Sequence, residues 1–228
     1  TPFLRSLTAI SLSDVDGDDT SFARIQITTL ESTGDLECQN ANGDADGWVD
    51  CVANDYVTAG TSLRLTPSAN SDADITFSFK VHDGTAYSTA SYVMTVDVSA
   101  ANDAPTFSAT ANDLTVNEDT AGTITGTTVA DVDHSSLTMT VASTQSATFS
   151  LATTNGLTFS AGDGTSDNTM TFTGTTANIN TAIATVTWTS QLNNNNNAAV
   201  SFTVSDTVAA DVVDTVTVTV NAVQDLPT

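Results

Sequence analysis

Hydrophobic and polar residues alternate along much of the chain. The segment TVTVTVNAV (215–223) alternates threonine and valine, and ITFSFKV (75–81) and YVMTVDV (92–98) alternate almost as regularly. A period of two is typical of strands with one face on a core and the other in solvent. Because such strands recur about every ten residues, the pattern predicts an all-β protein built of β-sandwiches.

One segment departs from this period. In TTANINTAIATVTWT (175–189), Ile179 and Ile183 are four positions apart, which predicts one helical turn. We expect a strand through Val186 and Trp188 to follow, with Trp188 in the core. The asparagine run at 193–197 is predicted to be a polar loop.

The chain contains an internal repeat. Residues 75–106 align with 199–228, and SLSDVDGDD (11–19) aligns with TVADVDHSS (128–136). The segment AANDAPT (100–106) combines a proline with Asn and Asp, which favour turns, and so marks a boundary. We therefore expect two tandem domains, 1–103 and 104–228, arranged end to end. Since the chain begins inside a repeat, we expect the first domain to be truncated at its N-terminus.

Charge narrows the range of partners. The formal net charge is -23, from 27 acidic and 4 basic residues. Nucleic acids and anionic membrane surfaces are poor partners for such a chain, because both are bound through Lys and Arg clusters. No run of 18 apolar residues is present, so we expect no membrane insertion. So many carboxylates in one fold indicate divalent cations, a saline habitat, or both.

Three motifs give the chain a resemblance to a known family. HDGTAYSTASYVMTVDVSAANDAP (82–105) resembles the end of a cadherin repeat, and ADVDHSS (130–136) resembles the cadherin Asp-Ala-Asp motif. VNEDTAGTITG (116–126) resembles the first strand of bacterial cadherin-like repeats, which occur in large extracellular adhesins. The resemblance implies cadherin- or Ig-like sandwiches, with calcium (Ca2+) stiffening the junction between neighbouring repeats. The neighbouring repeats of the same or identical chains would then be its partners.

The residues support this implication, because calcium takes oxygen ligands from carboxylates, amides and water. Asn102 and Asp103 lie in the linker, while Asp131 and Asp133 flank one loop. The family pattern adds Asp206 to this site. It also adds Asp72 and Asp74 from the first domain, although Asp-x-Asp there replaces the family's Asp-Arg-Glu. Further ligands would serve junctions with a preceding domain (Asp14, Asp16, Asp83) or a following one (Asn117, Glu118, Gln224, Asp225). The alternative is that these acids form turns and a solvated surface.

The segment CQNANGDADGWVDC (38–51) needs a separate interpretation. Zinc and redox chemistry do not fit it, since it lacks further Cys or His ligands and a Cys-x-x-Cys motif. The short loop between the two cysteines predicts a disulfide between Cys38 and Cys51. Asn42, Asp44, Asp46 and Asp50, with the Trp48 carbonyl, have the spacing of an EF-hand-like calcium loop, but Ala53 replaces its last acid.

Catalysis is not expected, because no serine occurs in a sequence motif that would combine it with a histidine and an acidic residue as a catalytic triad. His82 and His134 each flank an expected calcium ligand and are interpreted as surface neighbours. The sequence therefore predicts a structural segment of an extracellular adhesin, stalk or surface filament. The alternative is a module that binds carbohydrate or a cell surface through the 38–51 loop, with Trp48 at the contact.

Overall fold

The computed structural model describes residues 23–45 and 47–224, together with the backbone of 3–6. By its contacts the chain forms two compact units, Thr1–Ala100 and Ala101–Thr228. The predicted ligands Asp14, Asp16, Asp46 and Asp225 lie outside the described residues. In the part that is described, no helix has the length and apolar character needed to cross a bilayer.

The first unit consists of two four-stranded antiparallel sheets. One sheet contains β1 (Phe3–Ser6), β3 (Asp35–Gln39), β4 (Trp48–Asp50) and β6 (Ser62–Thr66), in the order β1-β6-β3-β4. The other contains β2 (Arg24–Thr29), β5 (Tyr56–Thr58), β7 (Ile75–His82) and β8 (Tyr92–Val96), in the order β5-β2-β7-β8. A short 3-10 turn (Ala41–Gly43) lies between β3 and β4.

Alternation explains the core of this unit. On β7, Ile75, Phe77 and Phe79 all point inward and pack in one cluster with side chains from both sheets. The predicted disulfide is present and joins Cys38 on β3 to Cys51 just after β4. Both half-cystines belong to the buried cluster, so the disulfide is part of the core as well as a loop closure.

The second unit contains eleven strands and one helix in the described chain. The strands are β9 (Thr106–Ala109), β10 (Leu114–Asn117), β11 (Gly122–Thr125), β12 (Thr128–Ala130), β13 (Ser136–Ser143), β14 (Ala147–Leu151), β15 (Leu157–Ala161), β16 (Thr169–Thr175), β17 (Thr185–Ser190), β18 (Ala198–Ser205) and β19 (Val212–Asn221). A six-stranded sheet has the order β10-β19-β18-β13-β16-β15, a three-stranded sheet has the order β11-β17-β14, and β9 pairs with β12. All pairings are antiparallel except β10 with β19, which is parallel.

The core of the second unit lies between its two larger sheets. Trp188 on β17 is fully buried, as predicted, and packs in one cluster with Phe149 of β14 and Phe202 of β18. On β19 the valines at 216, 218 and 220 are buried in the same cluster. The predicted all-β sandwich class is therefore confirmed.

Helix α1 (Thr176–Ile183) is longer than the single turn expected from the sequence. It begins at Thr175, whose side-chain oxygen accepts a hydrogen bond from the Asn178 amide, as N-cap threonines do. Ile179 and Ile183 are both buried, which confirms the predicted apolar face. The helix occupies the connection between β16 and β17 and contacts β12.

Candidate metal centre

A group of polar residues gathers where three segments of the second unit meet. We call Asn102, Asp103, Asp131, Asp133 and Asp206 the linker cluster. The Asn102 side-chain amide donates to Asp206 Oδ2 (2.8 Å), and the Asp103 backbone amide donates to Asp133 Oδ2 (2.6 Å). These two bonds attach the linker to the loop after β12 and to the loop between β18 and β19. The structure thus places all five predicted residues in one network.

Asp131 is the most constrained member of the linker cluster. Its side chain has no solvent exposure (0%), and its Oδ1 accepts from the backbone amides of Asp133 (2.8 Å) and His134 (2.7 Å). Its Oδ2 is buried and has no hydrogen-bond partner in the described chain. A buried carboxylate oxygen without a donor is costly, because the lost hydration is not replaced. This oxygen is therefore available for a cation.

Asp206 is held as a carboxylate by its donors. It is 4% exposed, and its Oδ1 accepts from the amides of Val208 and Ala209, both at 2.8 Å. The hydrogen bond from Asn102 to Oδ2 lowers the pKa of Asp206, and the Val208 amide lowers it further. Negative charge is thus fixed at this point of the unit.

Asn180 on α1 positions the loop that carries Asp131. Its side chain accepts from the Val129 amide (2.8 Å) and donates to the Val129 carbonyl (2.9 Å). Val129 belongs to β12, which ends just before Asp131. Sequence reasoning missed Asn180, and its position within the NIN segment offered no signal that its amide would pair with a strand's backbone.

His134 is the second residue whose role sequence reasoning missed. Ligand atoms of Asp131, His134 and Asp206 all lie within 4.8 Å of one another. The His134 Nδ1 is 3.7 Å from Asp131 Oδ1, is buried, and has no hydrogen-bond partner in the described chain. The available signal was the three-residue spacing between Asp131 and His134 around a tight turn.

The dimensions and donors of this group suit one divalent cation. Two oxygens that bind one calcium ion lie at most about 5 Å apart, since each is 2.3–2.6 Å from the ion. Asp131 Oδ2 has an unused acceptor position, and Asn102 can present its Oδ1 in place of its Nδ2 if its amide turns over. Carboxylate and amide oxygens are the ligands that calcium prefers.

The other acids predicted as junction ligands have local partners or are exposed. Asp83 Oδ1 accepts from the amides of Ala86 (2.7 Å) and Thr85 (2.6 Å), and these bonds lower the pKa of Asp83. Asp72 is exposed, while Asp74 Oδ1 accepts a long bond from Val98 N (3.4 Å). These side chains close turns or face solvent within the first unit.

Glu118 follows β10 and is 7% exposed. Its Oε1 accepts from the Val223 amide (2.7 Å), beyond the end of β19. Asn117 lies beside it in register with Asn221, and Gln224 is exposed. Glu118 thus connects the turn after β10 to the chain beyond β19, and its role as a metal ligand stays a prediction.

The described side chains of the 38–51 loop contact residues outside the loop more than they contact one another. Asn42 Oδ1 accepts from the Tyr56 amide (3.1 Å), and its Nδ2 donates to Asp55 Oδ1 (2.8 Å). Asp44 is exposed, and Asp50 on β4 lies close to Asp35 and Glu37 instead. The described side chains do not converge on one point, and the EF-hand-like site stays a prediction because Asp46 lies outside the described residues.

Trp48 is covered on one face by the guanidinium of Arg64, which lies 4.6 Å from the ring centroid. Arg64 also pairs with both carboxylate oxygens of Glu37 across the β3–β6 register. This hydrogen-bonded pair lowers the pKa of Glu37. Stacking of this kind occupies the ring face that a sugar would use, so it does not favour the carbohydrate-binding alternative.

Comparison with known proteins returns weak structural similarity only. No family model matches the chain, and no curated protein matches it. Among solved structures, mouse cadherin-23 EC22-24 is 17% identical, with a TM-score of 0.39, over 94% of this chain and 58% of that chain. Drosophila N-cadherin EC1-3 is 15% identical (TM-score 0.32; 90% and 57% covered). Chicken VE-cadherin EC1-2 is 14% identical (TM-score 0.29; 97% and 92% covered).

This chain thus spans less than two thirds of the matched mouse and Drosophila chains. The identities and scores are too low to transfer a function.

Proposed function

We propose that this chain is a structural segment of a repetitive extracellular adhesin, stalk or surface filament, and that calcium bound by the linker cluster stiffens it. The observation that carries the proposal is the buried Oδ2 of Asp131, which has no hydrogen-bond partner among the described residues. It lies in a network that already attaches the linker residues Asn102 and Asp103 to two loops of the second unit. Neighbouring repeats of the same or identical chains are the proposed partners.

Charge explains why a cation would matter here. Asp131, Asp133 and Asp206 carry like charges in one network, and Lys and Arg number only 4 in the whole chain. Without a cation these carboxylates repel one another. A calcium ion would reverse the sign of that interaction and hold the linker against the loops. The linker would then lose conformational freedom, which is what a stalk requires.

The disulfide supports the extracellular part of the proposal. Disulfides form and persist in oxidising compartments such as the cell exterior. Cys38 and Cys51 are both buried, so the bond contributes to the core rather than serving as an exposed redox pair.

The test is a calcium titration of the metal-stripped chain, followed by thermal unfolding and solution scattering. Binding to the folded form alone stabilises it by about 2.7 kcal/mol at a hundredfold excess over the dissociation constant. For a unit of this size, that gain corresponds to a rise of about 10 °C in the melting temperature of the second unit. Chelator should lower the melting temperature again and broaden the distribution of particle dimensions.

Two variants separate the linker cluster from acidic residues in general. Asp206→Asn keeps the shape of the side chain and its bonds to the 208 and 209 amides but removes the charge, so it should abolish most of the calcium response. Asp163→Asn is the matched control, since Asp163 Oδ1 accepts from the Thr165 amide (2.9 Å) in an exposed turn away from the cluster. The proposal fails if calcium changes neither melting nor scattering, or if both variants respond like the unmodified chain.

A further inference from the structure

The linker cluster includes one side chain that calcium does not explain. A ring nitrogen of His134 lies within 4.8 Å of ligand atoms of Asp131 and Asp206. Calcium binds oxygen donors, so an imidazole nitrogen at this position adds nothing to a calcium site. Imidazole is instead a preferred ligand of zinc and other first-row transition metals.

Among the described residues, the Nδ1 of His134 has no hydrogen-bond partner. The distance from Nδ1 to Asp131 Oδ1 is 3.7 Å, which is too long for a hydrogen bond. Both Nδ1 and the nearby Asp131 Oδ2 are buried and unpartnered in the described chain. In the tautomer with its proton on Nε2, Nδ1 offers a lone pair close to the Asp131 carboxylate, and a nitrogen donor next to a carboxylate oxygen is a donor set for a metal ion.

We propose that His134 Nδ1, Asp131 Oδ2 and a carboxylate oxygen of Asp206 bind one borderline divalent cation of the zinc type. Ligands in a tetrahedral zinc site are about 3.3 Å apart, given bond lengths near 2.0 Å. Nδ1 lies 3.7 Å from Asp131 Oδ1, the other oxygen of the same carboxylate, and a ligand atom of Asp206 lies within 4.8 Å of ligand atoms on both residues. Binding therefore requires the imidazole to rotate so that Nδ1 approaches Asp131 Oδ2.

The fourth position of the site can be taken by water. The His134 side chain is 35% exposed although its Nδ1 is buried, so solvent reaches the imidazole at the edge of the site. An open groove beside it is lined by Ser135 and by Thr175 and Thr176 at the start of α1. Three protein ligands and one open position are the arrangement found in zinc sites that exchange a ligand.

This site shares Asp131 and Asp206 with the proposed calcium site, and the two ions would exclude each other there. The inference does not depend on calcium binding, because it rests on the nitrogen donor and on the unpartnered oxygen. If both ions bind, zinc and calcium compete for the attachment of the linker.

Cobalt(II) is the probe of choice, since it replaces zinc and its visible absorption distinguishes tetrahedral nitrogen–oxygen coordination from an octahedral all-oxygen shell. The experiment uses the full chain without an affinity tag, stripped of metal. One equivalent of Co2+ should give the tetrahedral spectrum, and Zn2+ should displace it. Zn2+ affinity is then measured by competition.

His134→Ala should lower the Zn2+ and Co2+ affinities by about 100-fold or more, since loss of even an outer-shell partner costs 10–100-fold. Calcium affinity should change by less than about threefold. His82→Gln serves as the matched control for the other histidine and should leave cobalt binding intact. Circular dichroism and melting confirm that each variant is folded before its affinity is measured.

The outcomes separate this inference from the proposed function. Cobalt binding that is unchanged by His134→Ala, or an all-oxygen octahedral spectrum, overturns the zinc-type site whatever calcium does. A His134-dependent cobalt spectrum in a chain that shows no calcium response supports this site and overturns the calcium proposal. If Asp131→Asn loses binding of both calcium and Co2+ while His134→Ala loses binding of Co2+ alone, the calcium site and the zinc-type site are both supported.

Discussion

Substitution of Asp131 by asparagine should change stability in opposite directions with and without calcium. Within the described residues, the Asp131 Oδ2 is buried without a donor. A buried polar group left unpaired costs about 1–3 kcal/mol. The introduced side-chain amide would place an N–H donor at this position, beside Asp206, and would remove one of the repelling charges. We therefore expect Asp131→Asn to be about 1–3 kcal/mol more stable than the unmodified chain in chelator.

Calcium should reverse this order. At a thousandfold excess over the dissociation constant, the unmodified chain gains about 4.1 kcal/mol, while the variant gains little. The unmodified chain would then exceed the variant by about 1–3 kcal/mol. A change of sign is diagnostic, because an aspartate that merely stabilises a turn would make the variant less stable under both conditions.

The two tryptophans make the assay specific for one unit. Trp188 is fully buried in the second unit and Trp48 lies in the first, so a Trp48→Phe background leaves Trp188 as the only fluorescent tryptophan. Urea unfolding of this protein is followed by Trp188 fluorescence, with and without Asp131→Asn, in chelator and in calcium. The reasoning is refuted if Asp131→Asn is the less stable protein in chelator, or if calcium stabilises both proteins equally.

Three further outcomes follow from the fold. Reduction of the disulfide should cost the first unit about 3 kcal/mol and leave the second unit's melting unchanged, which calorimetry with and without reductant can resolve. The hydrogen bonds from Arg64 lower the pKa of Glu37 in the folded protein. The ion pair therefore contributes its full stability above the unfolded pKa of glutamate, and this contribution is lost as pH falls through the lower folded pKa. Glu37→Gln should reduce the fall in melting temperature over this acidic range, as measured by melting at a series of pH values. Asn180→Ala removes the partner of the Val129 amide and carbonyl, so it should lower the free energy of unfolding by about 1–3 kcal/mol. It should also weaken calcium binding, measured by titration calorimetry. Unchanged binding would show that α1 does not position the site.

Period-two alternation was sufficient to predict the strands, because it reports directly which face of a strand is buried. It identified β7 and β19 and the inward position of Trp188. The sequence predicted too short a helix for α1, because only Ile179 and Ile183 have helical spacing. The helix begins earlier, after the N-cap Thr175, and the N-cap hydrogen bond depends on backbone geometry that spacing does not show.

Side-chain chemistry was harder to predict where it depends on which segments meet. Spacing placed Asp131 and Asp133 in one loop, but the full burial of the Asp131 side chain results from packing of that loop onto the unit. In the 38–51 segment, Asn42 has the spacing of a calcium ligand, yet the chain folds so that the Tyr56 amide donates to its oxygen. Local spacing cannot anticipate a competitor from a distant strand.

The parallel pairing of β10 with β19 has a mechanical consequence. β10 lies near the start of the second unit and β19 near its end, and the two run in the same direction in register from Leu114–Val218 to Asn117–Asn221. Tension applied to the two ends of this unit would pull the strands past each other along their common axis. The hydrogen bonds between them would then share the force and break together, rather than one after another as in a hairpin opened from its free end. Geometry of this kind resists extension through a high barrier to rupture, a property of unfolding rate rather than of equilibrium stability.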